Sequence, residues 1–254
     1  MLVLLSPAKK LDFTSEVSTE LKSKADLLTN SQEIMGELSK LKPADLEKLM
    51  KISPQLADLN FERNQNWKLP FENARQASFA FNGEAYNGLD ISSFSEQELV
   101  YAQEHLRLLS GLYGLLRPLD EILPYRLEMG TKFAVNSSHK NLYSYWGSLL
   151  TKKVNTLTVE QNISTLVNLA STEYFKAIKT KEIQANIITP TFKDWKVDKH
   201  KVIMMYAKKA RGSMASYILK NKINQEEQLK SFDTDGYSYN EELSNGNDWV
   251  FTRG

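Results

Sequence analysis

The opening stretch "MLVLLSPAKKLDF" (Met1–Phe13) decides how the rest of the chain is read. Leu2 to Leu5 is an unbroken apolar run that stops at Ser6-Pro7. A short apolar run closed by a turn signal predicts a buried strand. Pro7 supplies the stop, because it has no N–H to give to a sheet. Lys9 and Lys10 then fall just past the strand end. Open α/β sheets place ligands at such ends, and plain surface loops lie there too.

Moving outward, Thr14 to Lys42 carries Leu21, Ala25, Leu28, Ile34, Leu38 and Leu41 at helical spacing, which predicts amphipathic helix. Pro43 suits the first turn of a second helix carrying Leu46, Leu49 and Met50. Ser53 and Pro54 suit the cap and first turn of a third, whose apolar face continues through Leu56 and Leu59. Leu46 to Asn60 thus reads as helix, tight turn, helix. Ser78 to Asn82 alternates like a strand and ends at Gly83. Ser95 and Glu98 form a capping box opening a helix expected to run to Leu109. Asn141 to Leu157 predicts helix, and Thr165 to Ser171, Ile187 to Phe192 and Val202 to Ala207 predict strands. Ala210 to Asn221 predicts a helix, and Tyr237 to Arg253 a hairpin around Asn245-Gly246. Strands and helices mix without a strict βαβ period. The fold class expected is α/β or α+β, a mixed sheet flanked by helices. No repeat or linker breaks residues 1–254, so one domain is expected.

With 254 residues, 41% of them apolar and 25% charged, the chain reads as a soluble globule. It has no 18-residue apolar run, and its N-terminal run is too short for a secretory h-region. There is no cysteine, so disulfides, thiolate catalysis and cysteine-held metal are excluded. A cytoplasmic setting is the simplest reading. Neither GxxxxGK[ST] nor GxGxxG, HExxH or GxSxG occurs. His105, His139 and His200 lie far apart, and no spacing supports a metal site or a cofactor.

The net charge of +1 hides an asymmetry. Lys193 to Lys222 holds nine cations and two acids, while Glu226 to Asp248 holds seven acids and one lysine. Two solvated surfaces would give that pattern, and so would a basic face beside an acidic one. Lys208, Lys209 and Arg211 follow the predicted Val202–Ala207 strand, so a second strand end delivers cations as Lys9 and Lys10 do. Helix-start N–H groups and Gly212 there would suit phosphate, and a cationic loop facing solvent would look the same. "HLRLLSGLYGLLRPLDEILPYRLEMG" carries Arg107, Arg117 and Arg126 with Asp120 and Glu128. These are either arginine–carboxylate locks or a cleft facing a polyanion. Ser171 and Glu173 follow the Thr165 strand, and Ser171 fits a helix cap or a nucleophile.

In this order, "LLSPAKKLDF", "LMKIS", "FNGEAYNGL", "LRLLSGLYGLLRPLDEILPYRLEMG", "LVNLASTEYF" and "YAKKARGSMASYI" resemble the YaaA family of bacterial peroxide-stress-response proteins over essentially the whole chain. The resemblance implies a cytosolic protein linked to hydrogen peroxide survival, limiting damage by unincorporated iron and binding DNA. It implies a single compact α/β domain of unusual topology with a positively charged cleft and a helix-hairpin-helix element, and no established reaction. The hairpin best matches Ile52, Ser53, Pro54, Gln55, Leu56 and Ala57. Lys9, Lys10, Lys208, Lys209 and Arg211 would line the cleft, joined by Arg107, Arg117 and Arg126. The expected partner is duplex or branched DNA, held by phosphate contacts with little sequence preference. The alternative is an enzyme acting on a nucleotide or nucleic acid in the same cleft, with Asp120, Glu128, Ser171 and Glu173 as acid, base or metal ligand. A third possibility, iron sequestration, would need a cluster of carboxylates and histidines.

Overall fold

The computed structural model describes all residues, 1–254. The main sheet is built on β1 (Leu2–Leu5), which is fully buried. It comprises also β2 (Leu106–Ser110), β3 (Gly114–Leu116), β4 (Thr165–Leu169), β5 (Asn186–Lys196), β6 (Lys199–Lys201), β7 (Ser238–Asn245) and β8 (Asp248–Arg253). Their order is β7-β8-β5-β4-β1-β2-β3, with β6 hairpinned onto β5. The five central strands run parallel, and β3, β6 and β7 add antiparallel edges. β1 has a parallel neighbour on each side: Val3 faces Leu106 across one ladder and Val167 across the other. A strand covered on both faces needs no polar alternation, which is why Leu2–Leu5 reads as a continuous apolar run.

The helices are α1 (Leu28–Leu38), α2 (Pro43–Met50), α3 (Pro54–Asn66), α4 (Glu84–Leu89), α5 (Glu96–His105), α6 (Leu142–Trp146), α7 (Leu149–Glu160), α8 (Thr172–Phe175) and α9 (Met204–Lys220). A single apolar cluster runs from Met1 to Phe251, so the chain is one mixed α/β domain. No helix is long and apolar enough to cross a membrane.

Several sequence expectations meet the structure directly. The Ser95 box forms, with Glu98 N donating to Ser95 Oγ and Ser95 N to Glu98 Oε2. Ser53 caps α3, accepting from Leu56 N at 3.4 Å, and the C-terminal hairpin turns at Gly246, φ +55°.

Others change. Only Leu28–Leu38 of the Thr14–Lys42 segment is helix, and Ser23–Lys24 instead pairs with Asp120–Glu121. Ser78–Asn82 is not one strand: Ala77–Ala80 makes a helical turn, then Phe81–Asn82 pairs with Lys10–Leu11. The Ser95 helix stops at His105, because Leu106–Ser110 is the strand beside β1. Helix resumes after Asn141 but breaks at Gly147, φ +47°. Leu56 and Leu59 are each 40% exposed, and α3 buries Ala57, Asn60 and Asn64 instead. Val202–Ala207 is no strand either: α9 starts at Met204, with Met204, Met205 and Tyr206 exposed and Ala207 the first buried residue. A continuous apolar run carries no period that separates buried strand from helix.

α9 packs on α4 with almost no gap. A Cβ at Gly212 would overlap the carbonyl oxygen of Ala85, and one at Gly88 would overlap that of Lys209. The close approach that Gly212 permits is therefore to another helix. In an open helix Gly→Ala stabilises by about 1 kcal/mol. Here overlap with backbone decides the sign: Gly212→Ala is expected to lose about 2 kcal/mol or more in urea unfolding. A neutral or stabilised variant would refute the crossing as described.

Candidate phosphate-binding clefts at the strand ends

The strand order reverses direction at β1, with β2 on one side and β4 on the other. Its C-terminal end is therefore the place where the loops of a parallel sheet part and leave a crevice. β1 runs into Ser6 and β4 into Ser171, and the two ends are tied together. Ser171 N donates to Ser6 Oγ at 2.8 Å, Ser6 Oγ lies 3.3 Å from Ser171 Oγ, and Tyr86 OH donates to Ser6 O at 3.1 Å. Ser171 stands at the N-cap position of α8, but its side chain does not cap the helix.

Around this knot, Glu128 accepts from Lys9 Nζ at 2.6 Å and Arg126 Nη2 at 3.3 Å. Glu173 accepts from Gly130 N at 2.9 Å, and Tyr143 OH donates to the Glu173 carbonyl. Arg126 Nε is buried with no partner. Burial pushes the Tyr86, Tyr125 and Tyr174 phenols up, so all three stay protonated at neutral pH. No histidine stands beside either serine to act as base. His105 bonds Met1 O and stacks on Tyr101, His139 bonds Asn136, and His200 packs against Trp195. No group of three or more potential metal ligands gathers.

Two cavities flank α8. The first, about 720 Å³, lies between the C-terminal end of α2 and the 128–132 loop; Lys48, Lys51 and Lys132 join Glu128 and Glu173 in its wall. Lys51 carries a left-handed backbone, φ +52°, as α2 gives way to α3. The helix–turn–helix segment thus borders the Lys9–Glu128–Arg126 cluster. Within that segment Ile52 is half-buried, Ser53, Pro54, Gln55 and Leu56 are exposed, and Ala57 is buried. The second cavity, about 750 Å³, opens where β4 and β5 separate, and Lys176, Lys179, Lys181 and Arg211 line it with Glu182.

The eight cations singled out in the sequence do not share one environment. Lys9 and Arg126 meet at Glu128. Lys10 is exposed on the short strand facing Asn82 and makes no ion pair. Arg107 is buried, and its Nη1 donates to the carbonyls of Gln103, Glu104 and Leu106. Burial and the nearby Arg117 charge lower its pKa to about 10. Arg117 donates to Asp120 and to Lys24 O, and reaches Asp26 at 3.4 Å. Both guanidiniums are spent on fold locks. On α9, Lys209 pairs with Asp235 at 3.1 Å, Lys208 is exposed without an ion pair, and half-buried Arg211 has neither ion pair nor hydrogen bond. These three are helical residues, not a strand end. Lys48, Lys51, Lys132, Lys179 and Lys181 were not singled out. Lys48 and Lys51 flank the predicted hairpin, and that adjacency was the available signal.

The knot has a measurable asymmetry. Ser6→Ala removes the acceptor of a half-buried N–H and is expected to cost about 1–2 kcal/mol. Ser171→Ala deletes only the 3.3 Å contact and is expected to stay within about 0.5 kcal/mol of the parent. Chemical denaturation of both variants checks this, and equal losses would contradict it.

A sequence model described as peroxide stress protein YaaA matches residues 1–243. A UPF0246 protein of Colwellia psychrerythraea is 52% identical over 255 residues, covering 100% of this chain and 99% of the relative. Those of Saccharophagus degradans and Teredinibacter turnerae are 52% and 51% identical with the same coverage. The chain belongs to the peroxide stress protein YaaA family.

Proposed function

We propose that this family member binds duplex or branched DNA in the cytoplasm through the phosphate backbone, without strong sequence preference, and so limits iron-dependent damage under hydrogen peroxide stress. One observation carries the reading: the cavity between α2 and the 128–132 loop sets Lys48 and Lys51, beside the helix–turn–helix, opposite Lys132, and among its acids Asp45, Glu128 and Glu173 it shares Glu128 with the neighbouring Lys9 and Arg126. Segments separate in sequence contribute cations to one concavity.

The chemistry suits a backbone reader. Lysines act as mobile point charges, and Arg126 adds a planar fork with an unspent buried donor. At the start of α3, Pro54 has no N–H and Leu56 N already serves Ser53, which leaves Gln55 N as a backbone donor for phosphate. The groove has no dense set of amide side chains to read base edges. Cations that neutralise phosphates release condensed counterions. Iron held among those counterions would leave the backbone with them, so less peroxide chemistry would occur on the DNA itself.

Duplex binding measured by fluorescence anisotropy across a salt series is expected to fall with a log–log slope of about −0.9 per phosphate neutralised. The triple variant Lys48→Glu, Lys51→Glu, Lys132→Glu should lose most of the affinity. Glu128→Gln, which frees Lys9 and Arg126 from their carboxylate, should raise it. A triple variant that binds like the parent at matched salt would reject the reading.

A further inference from the structure

The second cavity points to a different ligand. We propose that the space where β4 and β5 separate is a binding site for a nucleoside phosphate, with Arg211 receiving the phosphate. The site does not depend on the DNA reading, since none of Lys9, Lys48, Lys51, Arg126 or Lys132 lines it.

The backbone makes the space. β4 and β5 pair from Thr165–Asn186 to Val167–Ile188; from Thr189 onward β5 is paired only along its opposite edge, with β8. The C-terminal end of β4 is left without its neighbour, and a cavity of about 750 Å³ opens there. Pockets of about 300–1,000 Å³ hold drug-sized ligands, far larger than a bare phosphate ion.

Arg211 is the decisive residue. It is half-buried, it lines the cavity, and no carboxylate or carbonyl meets its guanidinium. Burial alone lowers its pKa. A guanidinium drawn out of water without a counter-charge is costly, and Arg107 and Arg117 show how this chain treats arginines that serve the fold. A phosphate would complete Arg211 in a bidentate manner. Lys176, Lys179 and Lys181 add charge at the wall against a single acid, Glu182, which lies 3.5 Å from Lys179. Lys176 is held over the Tyr143 ring at 5.3 Å.

The rest of the wall suits a nucleoside. Thr189 and Thr191 alternate along β5 and so present hydroxyls on one face. Asn168, only 6% exposed, has its orientation set because its Oδ1 accepts from Ala170 N. Its Nδ2 is then turned toward Thr189, 3.4 Å away. This amide and these hydroxyls match the donors and acceptors of a sugar, and the Phe175 ring offers an apolar surface to a base.

Calorimetric titration of the full chain in phosphate-free chloride buffer tests the site with AMP, ADP, adenosine and inorganic phosphate. AMP or ADP should bind at least about tenfold more tightly than adenosine or phosphate alone. Arg211→Gln should weaken nucleotide binding at least about tenfold, with Arg211→Lys intermediate. Without ligand, Arg211→Gln should melt no lower than the parent, since it removes a half-buried charge with no ion-pair partner; Thr189→Val should weaken binding by itself. The site is refuted if no nucleotide binds below about 1 mM, if Arg211→Gln binds equally well, or if inorganic phosphate binds as tightly as AMP. A large drop in the melting temperature of unliganded Arg211→Gln would show a structural arginine and also overturn it. The Lys48, Lys51, Lys132 triple variant should keep its nucleotide binding, which separates failure of this site from failure of the DNA reading.

Discussion

The pairing of β1 on both of its edges sets where the strand-end loops beside the candidate site begin. Four buried residues hold a parallel strand on each side, so the backbone must leave the sheet as soon as the pairing ends. Pro7 fixes that exit, and the Ser6–Ser171 contact fixes the neighbouring exit beside it. The segments that follow carry Lys9 on one side and, in α8, Glu173 on the other. Parallel strands send all their C-terminal loops to one edge, which is why distant segments meet there.

Electrostatics then sorts the cations into two kinds. Arg107 and Arg117 sit on the β2–β3 side and are saturated by carbonyls, Asp120 and Asp26. Their removal would leave buried acceptors orphaned, which is the signature of a structural charge. At the strand-end edge, Lys48, Lys51, Lys132 and Arg211 reach no carboxylate within 4 Å, and Lys9 and Arg126 share one. A surface ion pair such as Lys9–Glu128 is worth little in water, so an incoming phosphate can displace it at small cost.

Much of this was legible in the sequence, for identifiable reasons. The Leu2–Leu5 run, the Ser53 and Ser95 caps and the Asn-Gly hairpin each rest on a local rule that tertiary context did not override. The family resemblance was carried by ordered segments and is met by the match over residues 1–243. Two of the failures share one cause. "HLRLL" and "VIMMYA" carry no clear period, and only the sheet decides that the first contains a strand and the second starts a helix. The Val202 error put Lys208, Lys209 and Arg211 at a strand end, whereas the Gly88–Gly212 crossing holds them on α9. Of the candidate site, Lys9 and Arg126 were named from the sequence, while Lys48, Lys51 and Lys132 are ordinary surface lysines until the fold places them together.

The central claim is that the lysines around the first cavity, with Lys9 beside them, form one phosphate-facing surface. The most direct measurement is lysine footprinting: brief acetylation with and without duplex DNA, read residue by residue by mass spectrometry. The account predicts that Lys9, Lys48, Lys51 and Lys132 are protected together, while Lys22 and Lys40, on other ion pairs, react as before. Protection confined to the Lys193–Lys201 ribbon, or spread evenly over all lysines, would contradict it.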